Sequence, residues 1–152
     1  MAEFMAGIGK NIILMTAVTA WFTAQVLKII TAYWRYGVFD ARRLLGAGGM
    51  PSSHTALVVS LAVGIALKEG LESDLLAVAV ILAGIVMYDA AGVRRAAGKQ
   101  AKVINKLVRE MRVNHKIGDG RLKELLGHTP LEVLGGAVHG TLIAYALYVL
   151  YR

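Results

Sequence analysis

The sequence predicts an all-α fold: an integral-membrane helical bundle of about four apolar helices, with an amphipathic basic helix between the third and fourth. Hydrophobic residues make up 57% of the 152 residues, and the mean hydropathy of +0.57 lies above that of an ordinary soluble domain. The charges collect in a few segments separated by long uncharged runs. No strand-like alternation, internal repeat or low-complexity tract interrupts that pattern. With no break in composition, residues 1–152 read as a single membrane-embedded domain.

The first helix is NIILMTAVTAWFTAQVL, the uncharged run between Lys10 and Lys28, continued through ITAYW to Arg35. It reaches roughly the 20 residues that a hydrocarbon core demands. It lacks a small-residue cleavage site before the next charge, so it reads as a retained span and not a signal peptide. The second and third runs, Thr55–Leu67 and Leu75–Tyr88, are shorter and are joined by KEGLESD; by length alone they suit buried helices of a soluble core nearly as well. The fourth, Val133–Tyr151, carries Gly135, Gly136 and Gly140 for close helix contact and ends in tyrosines fit for an interfacial belt. Those small residues also suit a homodimer.

From Asp89 to Glu124 the chain turns basic, with Val103, Leu107 and Met111 spaced along one helical face. This predicts an amphipathic helix lying on the membrane or on the bundle. Gly118, Asp119 and Gly120 break it, and RLKELLG forms a short further helix. If every apolar run crosses, the loop Arg35–Arg43 and the segment Asp89–Glu132 share one side. The positive-inside rule makes that side cytoplasmic.

Lys and Arg outnumber Asp and Glu by 17 to 10. Nucleic acid is a poor explanation, because the basic residues alternate with apolar helices and lack accompanying stacking aromatics. With no cysteine there is neither a disulfide nor a Cys-ligated zinc. An anion is the better partner, and three clusters could hold one. In GGMPSSHTA, Ser52 or Ser53 caps the helix that follows. The same helix start offers N–H groups to an anion, Gly48 and Gly49 allow close backbone approach, and His54 can donate a proton. In GHTPLEVLG, Thr129 and Glu132 form a capping box with Pro130 at the first helical position, which explains Glu132 without catalysis. Yet Glu132 lies one turn beyond His128 and can fix its tautomer, and an oriented neutral histidine is a nucleophile. Lys28 and Arg35 lie two turns apart on one face, and Arg94 and Arg95 follow the third run. Singly, such residues are more often snorkelling interface groups than ligands.

Taken in order, K-x6-R, P-S-x-H, then Arg followed by H-x-P-x-E-V-L-x-G resembles the three-part signature of the type 2 phosphatidic acid phosphatase superfamily, which includes the vanadium-dependent haloperoxidases. GGMPSSHTA, YDAAGVRRAAGKQA, INKLV and LKELLGHTPLEVLGG look like its small divergent branch of bacterial and plant membrane proteins, across Ala24 to Gly136. The resemblance implies a lipid phosphatase with a phosphohistidine intermediate and neither metal nor other cofactor. It implies His128 as nucleophile, Glu132 behind it, His54 as the acid, and Lys28, Arg35, Ser52, Ser53 and Arg94 or Arg95 around the phosphate. Apart from the resemblance, Asp40 and Asp89 flank the basic side and can hold arginines in place behind the site, and Gln100 and Asn105 are similar.

Three departures accompany the resemblance. Tyr36 follows Arg35 where the family has proline, Ser53 replaces a usual glycine, and the stretch Ala96–Gly127 is inserted between arginine and histidine. The insertion leaves Arg94, Arg95, Arg121 and Lys123 as alternatives for the third-motif cation. The implied substrate is a membrane lipid phosphate: phosphatidic acid, phosphatidylglycerol phosphate or undecaprenyl diphosphate. The implied location is the bacterial inner membrane. The competing reading is a non-catalytic membrane protein that binds anionic lipid or a partner through its basic segment. His115 reads as solvated, and His139 as a hydrogen-bonded packing residue.

Overall fold

The computed structural model describes Gly7 and residues 9–37, 49–112 and 127–152, without the side chains of Arg35, Tyr36, Arg94 and residues 110–112. Among the described residues five long helices follow in order: α1 (Ile12–Tyr36), α2 (Ser53–Glu69), α3 (Asp74–Ala91), α4 (Val93–Arg112) and α5 (Pro130–Leu150). Local chemistry fixes several of their ends. Asn11 caps α1 by accepting from the Leu14 N–H at 3.1 Å, and Gly37 closes it in the left-handed conformation, φ 67°. Ser52 caps α2, and the Thr129–Glu132 capping box starts α5 with Pro130 in its first turn.

Among the described residues, three helical stretches are long and apolar enough to cross a membrane: Ile12–Trp34, the one beginning at Asp74, and Pro130–Leu150. The two short runs, alike by length, have opposite surroundings. Helix α2, with 17 residues, packs against α1, α3 and α5 and forms the centre of the bundle. Helix α3 instead turns Leu75, Val78, Ile81 and Ile85 outward.

The interior is built from small and polar groups. Ala20, Ala24 and Ala56 form one buried cluster, while Ala62, Ile65 and Ala79 form another toward the opposite end of the bundle. Phe22, Ile30, Leu142 and Tyr145 face out. This distribution suits lipid as solvent, where an apolar side chain gains little by moving inside and helices associate through close backbone approach and hydrogen bonds. One such bond joins Thr23 Oγ1 of α1 to His139 Nε2 of α5 at 2.8 Å. His139 is therefore the packing residue the sequence predicts.

Helices α2 and α5 approach most closely at two glycines. A Cβ on Gly136 would run into the Ser52 carbonyl oxygen, and one on Gly140 would lie 2.5 Å from the Ala56 carbonyl oxygen. These glycines, read in the sequence as a face for a second copy, are used within one chain. Gly135 differs, because a Cβ there meets the flexible end of Met50 at 3.0 Å. Gly140→Ala should therefore cost about 1–3 kcal/mol through overpacking, and Gly135→Ala no more than about 0.5 kcal/mol. Thermal unfolding of the two variants in one detergent checks the contrast.

Candidate active site

Four backbone and side-chain contacts gather the helices at one end of the bundle. Thr31 Oγ1 on α1 donates to the Met50 carbonyl at 2.6 Å, anchoring the turn that precedes α2. The Ser52 N–H donates to the Glu132 carbonyl at 2.9 Å, joining the starts of α2 and α5. The His128 N–H donates to the Ala90 carbonyl at 2.9 Å, joining the end of α3 to the start of α5. Gly49 brings its backbone against the Lys28 stem, so that a Cβ there would lie 3.7 Å from Lys28 Cγ. There is room for that atom, and it is the left-handed φ of +105° that requires glycine.

The two serines divide their work. Ser52 Oγ accepts from the Thr55 N–H at 3.4 Å and from the Thr55 hydroxyl at 3.0 Å, so Ser52 is the helix cap. Ser53 Oγ instead accepts from Lys28 Nζ at 2.9 Å. Lys28 is only 2% exposed, and the Glu132 carboxylate exerts an attractive field on it. An ammonium held this deeply in a membrane bundle is costly, and such groups mark functional sites.

His128 completes the cluster at 1% exposure. Its Nδ1 lies 3.3 Å from Glu132 Oε2, and that same oxygen accepts from the Thr129 N–H at 2.8 Å. The cap and the contact to histidine are thus one arrangement: the capping box holds the carboxylate that holds the ring. Because a carboxylate accepts, Nδ1 carries the proton and Nε2 the lone pair. Nε2 is buried and has no hydrogen-bond partner among the described residues. The half-buried His54 ring stands edge-on to His128, with centroids 6.4 Å apart. A buried lysine, a helix start and an unpartnered ring nitrogen are groups that can hold an anion and attack an electrophilic centre.

Residues 9–143 match the family described as the Divergent PAP2 family. The chain belongs to that family. It is also similar to the "Uncharacterized membrane protein YuiD" of Bacillus subtilis (strain 168), at 42% identity over 148 residues covering 90% of this chain and 94% of the relative. No solved structure matches the chain. With its three long apolar helices and a membrane-protein relative, this divergent PAP2 protein is an integral membrane protein.

Of the positions that the PAP2 resemblance singles out, Lys28, Ser52, Ser53, His54, His128 and Glu132 share one end of the bundle. Arg95 is exposed at the start of α4, and Gln100 is exposed farther along it. Asp89 is half-buried near the end of α3 and has an interaction of its own. Arg35 and Arg94 lie in helices, but their side chains are outside the described residues. Asp40, Gly48, His115, Arg121, Lys123 and the expected RLKELLG helix up to Leu126 are outside them. Among the described residues, no three His, Asp or Glu side chains are grouped to hold a metal ion. Thr31 was not singled out by sequence reasoning; its signal is its position one turn beyond Lys28.

Burial pushes the His128 pKa below the ordinary value. The Lys28 charge and His54 push the same way, and Glu132 pushes back through its charge and hydrogen bond. The folded protein therefore favours the neutral ring. As pH falls below about 6.5 the unfolded chain takes up the proton first. Stability tied to His128 is thus present above that pH and lost as pH falls through the folded value. Glu132→Gln can keep a capping box, since Gln also serves at that position, but it removes the opposing charge. The His128 titration followed by imidazole NMR should have its midpoint below about 6.5 in the native chain and lower still in Glu132→Gln. Glu132→Ala should in addition lose about 1 kcal/mol of stability with the cap.

Proposed function

We propose that the protein is a metal-independent lipid phosphatase that works through a phosphohistidine. The observation that carries this reading is the buried, unpartnered Nε2 of His128 in a ring oriented through Nδ1 by Glu132. In the first step the Nε2 lone pair forms an N–P bond, the P–O bond to the lipid breaks, and the leaving oxygen takes a proton from His54. In the second, water attacks phosphorus and gives its proton to His54. The N–P bond then breaks with its electron pair returning to Nε2, and inorganic phosphate leaves. Lys28 and the N-terminus of α2 would offset the charge on the transferring group throughout.

A lipid substrate is favoured by the site's place at the bundle end. There the outward-facing Tyr33, Trp34 and Tyr88 suit the membrane interface. The basic residues after α3 lie toward the same end, which supports a cytoplasmic orientation in the bacterial inner membrane. That orientation favours phosphatidylglycerol phosphate over phosphatidic acid and undecaprenyl diphosphate.

The test is phosphate release from these three lipids by purified protein with a chelator present. Release from at least one supports the reading. Failure of folded protein on all three favours the non-catalytic alternative. His54→Ala should slow hydrolysis of a lipid alcohol ester about 10²- to 10⁴-fold, with a much smaller effect on an aryl phosphate whose leaving group needs no proton. The contrast is read from the first burst of leaving group, since His54 also serves the second step, and equal losses in that burst would remove the acid role from His54.

A further inference from the structure

Helix α4 presents three separate faces. Gly98, Ala101 and Asn105 recur at helical spacing and are buried. Arg95, Lys99, Lys102, Lys106 and Arg109 form an exposed basic stripe along its length. Val93, Val103, Ile104 and Leu107 form an apolar edge, 61%, 59%, 44% and 52% exposed. At about 100° per residue, Lys99 and Val103 are angular neighbours, so the basic stripe borders the apolar edge directly. The helix starts after Gly92, four residues beyond the outward-facing Tyr88 at the end of a membrane-crossing helix.

We infer that α4 lies in the membrane plane as a docking surface for anionic phospholipid, with its apolar edge at the acyl boundary and its basic stripe among the head groups. Spanning is disfavoured by a charged stripe that runs the length of the helix. Full solvation would leave four large apolar side chains in water along one edge. An interfacial position accommodates both, and apolar burial and attraction to anionic head groups act together there. Charge selects the lipid: basic residues concentrated beside the apolar edge are complementary to an anionic leaflet and gain little from a zwitterionic one. The inference needs no chemistry at His128 and stands apart from the phosphatase reading.

The absence of cysteine from the chain makes the test direct. Leu107→Cys and Lys102→Cys variants of the full chain each carry one environment-sensitive dye in nanodiscs of phosphatidylcholine, with or without phosphatidylglycerol. Quenching uses neutral acrylamide. With phosphatidylglycerol, the dye at position 107 should be quenched about threefold less than the dye at position 102. Replacing Lys99, Lys102 and Arg109 by Gln in the Leu107→Cys chain should return that dye to its behaviour in phosphatidylcholine alone. Equal quenching at both positions would overturn the inference, as would protection indifferent to phosphatidylglycerol and to the glutamines. Protection that requires two copies in one disc would assign the face to a second chain and overturn it too.

Discussion

His128→Ala should reduce phosphate release from the lipid substrate by about 10⁴-fold or more, because in the proposed route it removes the nucleophile and with it the covalent path. Its fold should survive: Thr129 still caps α5, and the His128 N–H that bonds the Ala90 carbonyl belongs to the backbone. Removal of the side chain also frees Glu132 Oε2 from one of its two contacts, leaving the Thr129 N–H bond at 2.8 Å. Phosphate release in the presence of a chelator, compared at equal folded protein, checks the prediction. Activity within a few-fold of the native chain would eliminate His128 as the nucleophile.

Lys28→Met should combine a loss of activity with unchanged or increased stability. The native ammonium is 2% exposed and hydrogen-bonded to the neutral Ser53 hydroxyl. Methionine fills much of the same space without a charge to desolvate, and at Lys28 the effect of burial is larger than the attraction of Glu132 that the substitution gives up. Removal of a cation that stabilises a developing phosphoryl charge should lower kcat about 10²- to 10³-fold. A lysine kept only for architecture predicts the reverse, a less stable protein that remains active. Thermal unfolding and phosphate release on one preparation separate the two.

Much of this site was legible in the chain because its residues belong to short, ordered patterns. His128, Thr129, Pro130 and Glu132 specify the start of α5 locally, and the helical turn between His128 and Glu132 already places the carboxylate at the ring. Lys28 and His54 were legible through the order of the motifs. The division between Ser52 and Ser53 was not, since either can cap a helix; it depends on Lys28 arriving from α1 with a hydrogen to donate to Ser53. A glycine at position 53, which the resemblance to the wider superfamily would imply, has no hydroxyl for that bond.

The runs forming α2 and α3 were similarly ambiguous. Length does not reveal which helix sits at the centre, whereas Ser53, Thr55 and Ser60 inside α2 and the outward Leu75, Val78 and Ile81 of α3 do. Gly136 and Gly140 announced close packing without naming the partner helix. That partner is α2, whose Ser52 and Ala56 carbonyls occupy the space a side chain would need. For α4 the sequence supplied the amphipathic pattern, and the structure adds a third face, the buried Gly98, Ala101 and Asn105.

The most direct measurement is to trap the intermediate. Protein turning over a lipid labelled in its terminal phosphate is quenched into alkali, digested and mapped by mass spectrometry. The account predicts an alkali-stable, acid-labile phosphate on His128 that is absent from the His128→Ala protein. Label on another residue, or steady turnover with no phosphohistidine formed at any time point, would contradict it.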